Sequence, residues 1–309
     1  MQTSSAQPAG EPMTTSRLAA GERMQTLRTV AALRSALGGP RRAGASIGLV
    51  PTMGALHDGH LSLIDLARAR SDIVVVSLFV NPAQFDDSAD LDAYPRDEQR
   101  DARLAAAAGA DVLFAPSPEE VFPDGFATTV TVAGVSAALE GERRGGAHFA
   151  AVATVVAKLL NMAQPDVAYF GRKDAQQVAV IRRLVRDLDI PVRIEVGATV
   201  REPDGLALSS RNARLRTDER ERALALRHGL DAIRAAVDGG ARDAAELAAA
   251  GRAAMSALDV EPEYLELVDP DSFTAVARLN GEPVLAAVAA RVGAVRLIDN
   301  EILTPNGSH

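Results

Sequence analysis

Apolar runs and helix-like patterns alternate along the first two thirds of the chain. Apolar runs that predict buried strands occupy residues 47–50, 73–80, 112–115 and 167–170, and residues 192–200 close the series. Apolar residues recur at helical spacing in residues 27–37, 59–70, 97–108, 150–163 and 174–187. Apolar strands that alternate with helices are typical of a parallel sheet covered on both faces. The pattern therefore predicts an α/β fold, whose first helix ends at Gly38-Gly39-Pro40.

The pattern changes near residue 200. Two helical segments rich in Ala and Arg, 217–237 and 244–258, precede short strand candidates at 264–268, 284–290 and 295–298. We expect a smaller α+β domain over residues 201–309, after a sheet domain over residues 24–200. Residues 1–23 are rich in small and polar types and lack an apolar core, which predicts a disordered tail and not a signal peptide.

Composition and charge exclude several classes of protein. The chain of 309 residues has a net charge of -8, so it lacks the basic excess that binding to nucleic acid or an anionic membrane requires. It contains no cysteine, which excludes disulfides, thiolate nucleophiles and thiolate metal sites and fits a cytoplasmic protein. No apolar run is long enough to predict a membrane span; the longest candidate, residues 149–160, contains Lys158.

Polar loops follow the predicted strands where ligands bind in open parallel sheets, beyond the carboxyl ends. Three of them read "PTMGALHDGH", "NPAQF" and "GRKDAQQ", and a fourth, "REPDGLALSSRN", lies at the expected domain boundary. Because the carboxyl ends of parallel strands share one edge of the sheet, the sequence predicts that these four loops surround a single pocket.

The first loop places two histidines where a buried strand meets a helix. Asp58 is able to cap that helix, which would put His60 in its first turn and His57 just before it. The N–H groups and positive dipole end of such a turn attract phosphate, and imidazoles add donors that are cationic when protonated. A phosphate cradle is favoured over two alternatives, a metal site and a purely structural pair, since the chain has five histidines and no thiolate.

The other loops supply further polar groups suited to a small anionic ligand. The side-chain amides of Asn81 and Gln84 are able to hydrogen-bond the hydroxyls and the carboxylate of a ligand. Only two of the 33 Lys and Arg residues are lysines. Lys173 follows an apolar run and a glycine, a position that suits a compact ammonium group binding a phosphate. Asp174 is a candidate acceptor for a ribose hydroxyl or a helix cap, and Gln177 is another amide that could hydrogen-bond a substrate. The last three candidates are hydrogen-bond donors suited to phosphates: Ser209, Ser210 and Arg211.

These loops, together with "DLDAYPR" and "HFAAVATVVAKLLNMAQPDVAYFGRKDAQQ", resemble the pantothenate synthetase (pantoate–β-alanine ligase) family of the HxGH nucleotidyltransferase superfamily. The resemblance runs from about residue 24 to near residue 303. It implies a Rossmann-like ATP- and pantoate-binding domain, a lid-like C-terminal domain and a cytoplasmic homodimer. It also implies ATP- and Mg²⁺-dependent joining of (R)-pantoate to β-alanine through pantoyl adenylate, with release of AMP and pyrophosphate, on the route to coenzyme A.

The resemblance also implies roles for individual residues. His60 takes the role usually described as proton donor, and His57, Lys173 and Arg211 complete the catalytic set. Gln84 contacts pantoate and β-alanine, and Gln177 contacts pantoate. The ATP-binding residues are those of the histidine loop, the lysine loop, the adenine contact and the serine loop: Met53, Gly54, Ala55, Leu56, His57, Asp58, Gly59, His60, Gly171, Arg172, Lys173, Asp174, Val200, Leu208, Ser209, Ser210 and Arg211.

The chain departs from the family pattern at three places. Arg172 stands where a Glu is usual, and Ala175 where an aromatic is often found. The usual Arg-Pro-Gly-His-Phe loop reads Arg143-Arg144-Gly145-Gly146-Ala147 before His148, without the proline, so either arginine is a candidate for the family's arginine. Two alternative functions therefore stay open: activation or nucleotidyl transfer on another small acid, and a nucleotide-binding regulator that has lost catalysis.

Overall fold

The computed structural model describes residues 24–304 apart from 86–90 and 93, so the predicted tail and the last five residues lie outside the described part. Its larger sheet has six parallel strands in the order β1-β4-β3-β2-β5-β6. They are β1 Gln25–Leu27, β2 Ile47–Thr52, β3 Ile73–Leu78, β4 Val112–Phe114, β5 Val167–Gly171 and β6 Arg193–Gly197. The chain winds outward from β2 to one side and then crosses to β5 on the other. The switch point, where ligands bind in such sheets, therefore lies between β2 and β5.

Helices cover both faces of this sheet, as predicted. They are α1 Val30–Arg42, α2 Asp58–Arg68, α3 Glu98–Ala107, α4 Pro118–Val121, α5 Glu140–Arg144, α6 Gly146–Ala163 and α7 Ala175–Asp187. Along β3, Ile73 and Val75 join the cluster packed by α1, α6 and α7, whereas Val74 and Val76 join the cluster packed by α2 and α3. Because successive side chains of a strand point to opposite faces, a strand buried on both faces is apolar throughout.

Helix α1 and strand β1 correct the predicted start of the chain. Strand β1 was not predicted, because it has three residues and two of them are exposed. Helix α1 does not end at Gly38-Gly39-Pro40; it continues to Arg42 and contains Pro40. The Arg41 guanidinium donates to the carbonyls of Ala163 (2.8 Å) and Gln164 (3.0 Å), contacts from distant sequence that hold the last turn in place.

The C-terminal part contains helices and a separate antiparallel sheet. Its helices are α8 Thr217–Ala223, α9 Ala225–Asp238 and α10 Ala244–Ser256, so the single helix predicted over 217–237 is divided at Leu224. Strands β7 Pro262–Val268, β8 Val284–Val292 and β9 Val295–Leu303 form the sheet in that order. Ala286 and Val288 of β8 face the cluster with α9 and α10, while Leu285 and Ala287 join a cluster with residues of α6 and α7. The small sheet is thus packed between helices α9 and α10 on one face and helices α6 and α7 on the other.

Helix α6 is long and apolar enough to cross a membrane by length and composition, the one such helix in the described part of the chain. Of its residues, 67% are buried within the protein, where the helix covers one face of the parallel sheet. Lys158 on this helix lies 4.6 Å from the centre of the Phe126 ring, a cation–π contact. Burial on this scale is the property of a core helix.

Candidate active site

The four predicted loops meet in one cleft at the carboxyl edge of the parallel sheet. The cleft has a volume of about 290 Å³ and is lined by residues 51–60, 79–85, 171–177 and 198–211 in part, together with side chains of β7, β8 and β9. It lies at the switch point between β2 and β5, and the C-terminal sheet closes one side of it. The prediction of a single shared pocket is therefore confirmed.

Two imidazoles form the start of helix α2. His57, and not Asp58, is the N-cap: its Nδ1 accepts a hydrogen bond from the Gly59 N–H at 3.2 Å. His60 Nδ1 in turn accepts from the His57 N–H at 3.4 Å, which completes a capping box built from two histidines. The two rings lie 4.2 Å apart. Since both Nδ1 atoms accept, the neutral rings carry their proton on Nε2, which remains able to donate to a ligand.

Burial keeps these imidazoles neutral. Desolvation, followed by the charge of neighbouring His57, lowers the pKa of His60 from 6.5 to about 3. Desolvation and the ammonium of Lys173 also lower the pKa of His57. The two histidines therefore act as neutral hydrogen-bond donors near pH 7, whereas the positive charge at this end of the cleft comes from Lys173 and the dipole of helix α2.

Asp101 holds the strained loop that precedes the histidines. Gly54 and Ala55 both have positive φ, 88° and 51°, and the second value is unusual for a residue with a Cβ. The buried carboxylate of Asp101 accepts from the N–H groups of Ala55 (2.8 Å) and Leu56 (2.9 Å). Arg100 donates to the Leu56 carbonyl at 3.0 Å. Helix α3 thus fixes a loop whose own sequence would not favour this conformation.

The amides of the second loop are connected to the first loop and to helix α6. Asn81 is buried and donates to Gln84 Oε1 at 3.2 Å, while Gln84 Nε2 contacts the Met53 sulfur at 2.8 Å. His148 Nδ1 lies 3.0 Å from the Gln84 carbonyl oxygen, and its Nε2 lies 3.1 Å from an Arg144 nitrogen. Gln84 is therefore held at both its side chain and its main chain, as a group that orients a substrate must be.

The lysine loop is a short 3-10 turn between β5 and α7. Gly171, Lys173, Asp174 and Gln177 line the cleft, whereas Arg172 is exposed and does not. Because the Arg172 side chain lies outside the cleft wall, the departure from the family's Glu at this position leaves the lining of the pocket unchanged.

Residue Gln176, which the sequence did not single out, is buried next to this turn. Its Nε2 donates to the Val135 carbonyl at 2.8 Å and to the Ala138 carbonyl at 2.7 Å, and its Oε1 accepts from the Glu140 N–H at 3.1 Å. Gln176 therefore fixes the segment that leads into helix α5.

The serine loop is a 3-10 helix, Ser210–Arg214, capped by Ser209. The Ser209 hydroxyl accepts from the Arg211 N–H at 3.2 Å, and the Val200 carbonyl accepts from the Leu208 N–H at 3.0 Å. Val200, Leu208, Ser209, Ser210 and Arg211 all line the cleft, as Lys173 does. The cleft thus contains two hydroxyls, a guanidinium and an ammonium, a suitable set of donors for a chain of phosphates.

The structure brings most of the predicted site residues together, with defined exceptions. Gly54, Ala55, Leu56, Asp58 and Arg172 do not line the cleft. The first three form the inner side of the loop that Asp101 holds, and Asp58 is exposed at the first position of α2.

Several lining residues were not predicted, among them Tyr94, Tyr264, Phe273 and Asn300. Tyr94 is part of the motif "DLDAYPR", which was a usable signal. Its ring packs edge-on against Phe85 at 5.5 Å, and burial, the largest influence, raises its pKa. The others come from the C-terminal sheet region, far away in sequence.

The altered arginine loop is anchored between the two sheets. Arg144 lines the cleft beside His148, whereas Arg143 does not line it and donates to the Glu263 carbonyl at 2.7 Å. The carboxylate of Glu140 accepts two hydrogen bonds from Arg296 of β9, at 2.7 and 2.8 Å. Of the two candidate arginines, Arg144 lines this cleft, and both line an adjoining cavity that shares Lys173, Ser209 and Arg211 with it.

The described residues contain no group of three or more His, Cys, Asp or Glu side chains that could hold a metal ion. Among the described carboxylates that line the cleft, Glu140 is paired with Arg296 and Asp299 with Arg201. Asp174 remains for a metal ligand. One carboxylate beside donors suited to phosphate is compatible with Mg²⁺, which keeps several waters and is commonly held by nucleotide phosphates and one or two carboxylates.

Comparison with known proteins identifies the family. The family model for pantoate-β-alanine ligase matches residues 25–302. A pantothenate synthetase from Cereibacter sphaeroides is 55% identical over 89% of this chain and 98% of the relative, and pantothenate synthetase 1 from Bradyrhizobium diazoefficiens is 50% identical over 91% and 99%.

Solved structures agree with the sequence comparisons. The crystal structure of pantothenate synthetase from Thermus thermophilus has a TM-score of 0.84 and 47% identity, covering 90% of this chain and 99% of that one. Pantoate-β-alanine ligase from Francisella tularensis, solved in complex with β,γ ATP and β-alanine, has a TM-score of 0.73 and 35% identity over 92% and 100%. The chain therefore belongs to the pantoate–β-alanine ligase family.

Proposed function

We propose that this protein joins (R)-pantoate to β-alanine with ATP, forming pantothenate, AMP and pyrophosphate through a pantoyl-adenylate intermediate. The single observation that carries the proposal is one cleft lined by the histidine pair, Lys173, the serine loop, buried Asn81 and half-buried Gln84, whose amides are hydrogen-bonded to each other. Donors suited to phosphates, together with neutral amides, match a nucleotide next to a hydroxylated acid.

In the first half-reaction, a pantoate carboxylate oxygen attacks the α-phosphorus of ATP, and the bond to the bridging oxygen breaks to release pyrophosphate. The Nε2–H groups of His57 and His60 would donate to the phosphates, and Lys173 and Arg211 would neutralise the charge that grows on the leaving group. Neutral histidines suit this role because they donate a hydrogen bond without requiring proton uptake.

In the second half-reaction, the β-alanine amine attacks the activated acyl carbon. The acyl–oxygen bond to AMP breaks, AMP leaves with the electron pair, and the amine loses a proton as the amide forms. Gln84, held by Met53 and by the contact of its carbonyl with His148, would orient pantoate and β-alanine, and Gln177 would bind pantoate. No cysteine is needed, since the intermediate is a mixed anhydride and not an acyl-enzyme.

Mg²⁺ is part of this proposal as a partner of ATP. Asp174, together with the phosphates, would hold it, and the ion would supply charge neutralisation at the phosphates. Val200 would contact the adenine through its backbone, and the residues of the histidine, lysine and serine loops would surround the rest of the nucleotide.

Exchange of labelled pyrophosphate into ATP tests the proposal. With β-alanine omitted, we expect exchange only when (R)-pantoate is present, because reversible adenylation needs the acid but not the amine. Exchange that requires a different small acid would contradict the choice of substrate. Folded protein that binds ATP and shows no exchange with any acid would favour a nucleotide-binding regulator.

Two substitutions test the assignment of residues. Lys173→Ala should lower the rate of adenylate formation by about 100-fold or more with the fold retained, since it removes a charge aimed at the phosphates. Gln177→Ala should raise the KM for pantoate more than the KM for ATP. Equal increases in both KM values would mean that the pantoate pocket lies elsewhere.

We further propose a homodimer in the cytoplasm, with residues 24–200 binding ATP and pantoate and residues 201–309 forming a lid. The absence of cysteine is compatible with a reducing compartment. Light scattering of the purified protein measures the oligomeric state, and limited proteolysis near residue 200 with and without ATP tests the two-domain description.

A further inference from the structure

Two adjacent side chains of β9 connect the C-terminal sheet to both nucleotide loops. We propose that Asp299 and Asn300, here called the Asp299–Asn300 clamp, are positioning residues for adenylate formation. The clamp would set the main chain of the lysine loop and of the loop after β6, so that Lys173 and the serine loop face each other at the distance the phosphates require. This inference rests on the proposed function of the cleft.

Asn300 holds the lysine loop by its main chain. Its Nδ2 donates to the carbonyl oxygen of Arg172 at 3.0 Å and to that of Lys173 at 2.9 Å. A side chain as long as that of Lys173 has many rotamers, so its reach into the cleft depends on where its backbone is fixed. The two hydrogen bonds fix that backbone from a strand 127 residues away in sequence.

The orientation of the Asn300 amide is determined by these contacts. Asn300 is 5% exposed and its Oδ1 is buried without a hydrogen-bond partner among the described residues. If the amide were turned around, the carbonyls of Arg172 and Lys173 would lose their donor, and Oδ1 would lie against these two carbonyl oxygens. A buried polar atom left without a partner is rare in folded proteins, so the amide orientation is set by the two hydrogen bonds that Nδ2 donates.

Asp299 holds the other loop by an ion pair. Its carboxylate accepts from both terminal nitrogens of Arg201, at 2.6 and 3.1 Å, and it is 4% exposed. Arg201 also donates to the Gly205 carbonyl at 3.1 Å and pairs with Ala207 across the turn that leads to the serine loop. A bidentate pair with a buried carboxylate has a fixed geometry, and we infer that this geometry is transmitted through residues 201–207 to Ser209.

The two contacts come from adjacent residues of one strand, so β9 would fix the distance between the two loops. The Asn300 N–H donates to Asp299 Oδ1 at 2.8 Å, which joins the two halves of the clamp directly. Both side chains line the cleft. A small change at Asn300 should therefore displace Lys173, and a displacement near 1 Å at a reacting centre costs about 100-fold in rate.

The test compares Asn300→Ala and Asn300→Asp with Asn161→Ala, in the full-length protein. Asn161 is an exposed residue of α6 whose Nδ2 also donates to a main-chain carbonyl, that of Ala157, at 2.8 Å, so it is the matched control. Single-turnover release of pyrophosphate from ATP and pantoate gives the adenylation rate, its amplitude gives the fraction of active protein, and a β-alanine chase gives the second step.

We expect Asn300→Ala to lower the adenylation rate by about 10- to 100-fold at unchanged amplitude, with the rate of the β-alanine chase nearly unchanged. Asn300→Asp has the same shape but sets a carboxylate oxygen against two carbonyl oxygens, so it should be at least as slow. Asn161→Ala should resemble the parent protein in both steps.

Three results separate the possible conclusions. An Asn300→Asp protein as fast as the parent would overturn the proposal, because only packing would then matter at this position. Equal losses in adenylation and in the chase would overturn it too, by showing general damage. If the parent protein itself shows no pantoate-dependent pyrophosphate release, the proposed function fails, whatever the variants do.

Discussion

The neutral state of His60 makes a quantitative prediction about stability. In the folded protein burial lowers its pKa to about 3, against 6.5 for an ordinary histidine. Between these values the unfolded chain binds a proton that the folded chain does not, so the free energy of unfolding must fall as pH falls below 6.5. At pH 5 the loss attributable to His60 is about 2 kcal/mol relative to pH 8, from about 1.4 kcal/mol for each of 1.5 pH units.

The magnitude is insensitive to the depth of the shift. Any folded-state pKa below about 4 leaves His60 neutral at pH 5 and gives nearly the same loss. His60→Gln removes the titrating group but keeps a polar side chain at the capping box. We therefore expect the stability difference, parent minus variant, to decrease by about 2 kcal/mol between pH 8 and pH 5.

Urea unfolding at the two pH values measures the difference, and ¹⁵N spectra of the histidine rings measure its cause. The His60 ring should stay neutral, with its proton on Nε2, down to pH 5. His228→Gln reports the effect of removing an imidazole outside the cleft. A His60 ring that becomes charged near pH 6, or a parent-minus-variant difference that is equal at both pH values, would refute the reasoning.

Three further predictions concern the supports of the cleft. Asp101→Asn should lower kcat/KM for ATP by about 10- to 100-fold, because one of the two strained-loop N–H groups loses its acceptor. Asp111→Asn, which changes a similar acceptor at the opposite end of the sheet, should change stability but not kcat/KM for ATP, and equal changes of kcat/KM in the two variants would contradict the assignment. Burial alone would raise the pKa of Glu140, but the hydrogen bonds and charge of Arg296 lower it overall. The ion pair should therefore stabilise the protein at pH values above the usual Glu pKa and lose this effect as Glu140 is protonated in stronger acid. If the free energy of unfolding of Glu140→Gln depended on acid pH as the parent's does, the prediction would be wrong. Gly141→Ala should reduce soluble, active protein, since its Cβ would lie 1.8 Å from the Ser136 carbonyl oxygen, and a fully active variant would show that this segment moves freely.

Most of the parallel sheet and its helices was predictable because the signals are local. A strand such as β3 is buried on both faces, and its composition alone shows this. The loops that follow β2, β3 and β5 were predictable as one site because the carboxyl ends of parallel strands share an edge. The N-cap was not predicted correctly: Asp58 has the usual residue type, yet His57 takes the position because its ring nitrogen reaches the Gly59 N–H.

The contacts that hold the site in place could not be predicted, because their partners are distant in sequence. Asp101 reaches the histidine loop from 46 residues away, and Asn300 reaches the lysine loop from 127. An Asp within a helical pattern and an Asn two residues beyond the strand candidate 295–298 have no local feature that distinguishes them from solvent-exposed residues. Only the packing of α3 and β9 against the loops gives them a role.

Distant contacts also hold the short helix that precedes the altered arginine loop's glycines. Leu139 and Gly145, which cap helix α5 at its two ends, have positive φ, 49° and 80°. Between them, the Glu140 N–H donates to Gln176 and its carboxylate binds Arg296. Helix α5 is therefore held from α7 on one side and β9 on the other. Because β9 also contacts Arg201 through Asp299 and the lysine loop through Asn300, helix α5 and these two loops share one support, and the geometry of the cleft depends on the C-terminal sheet.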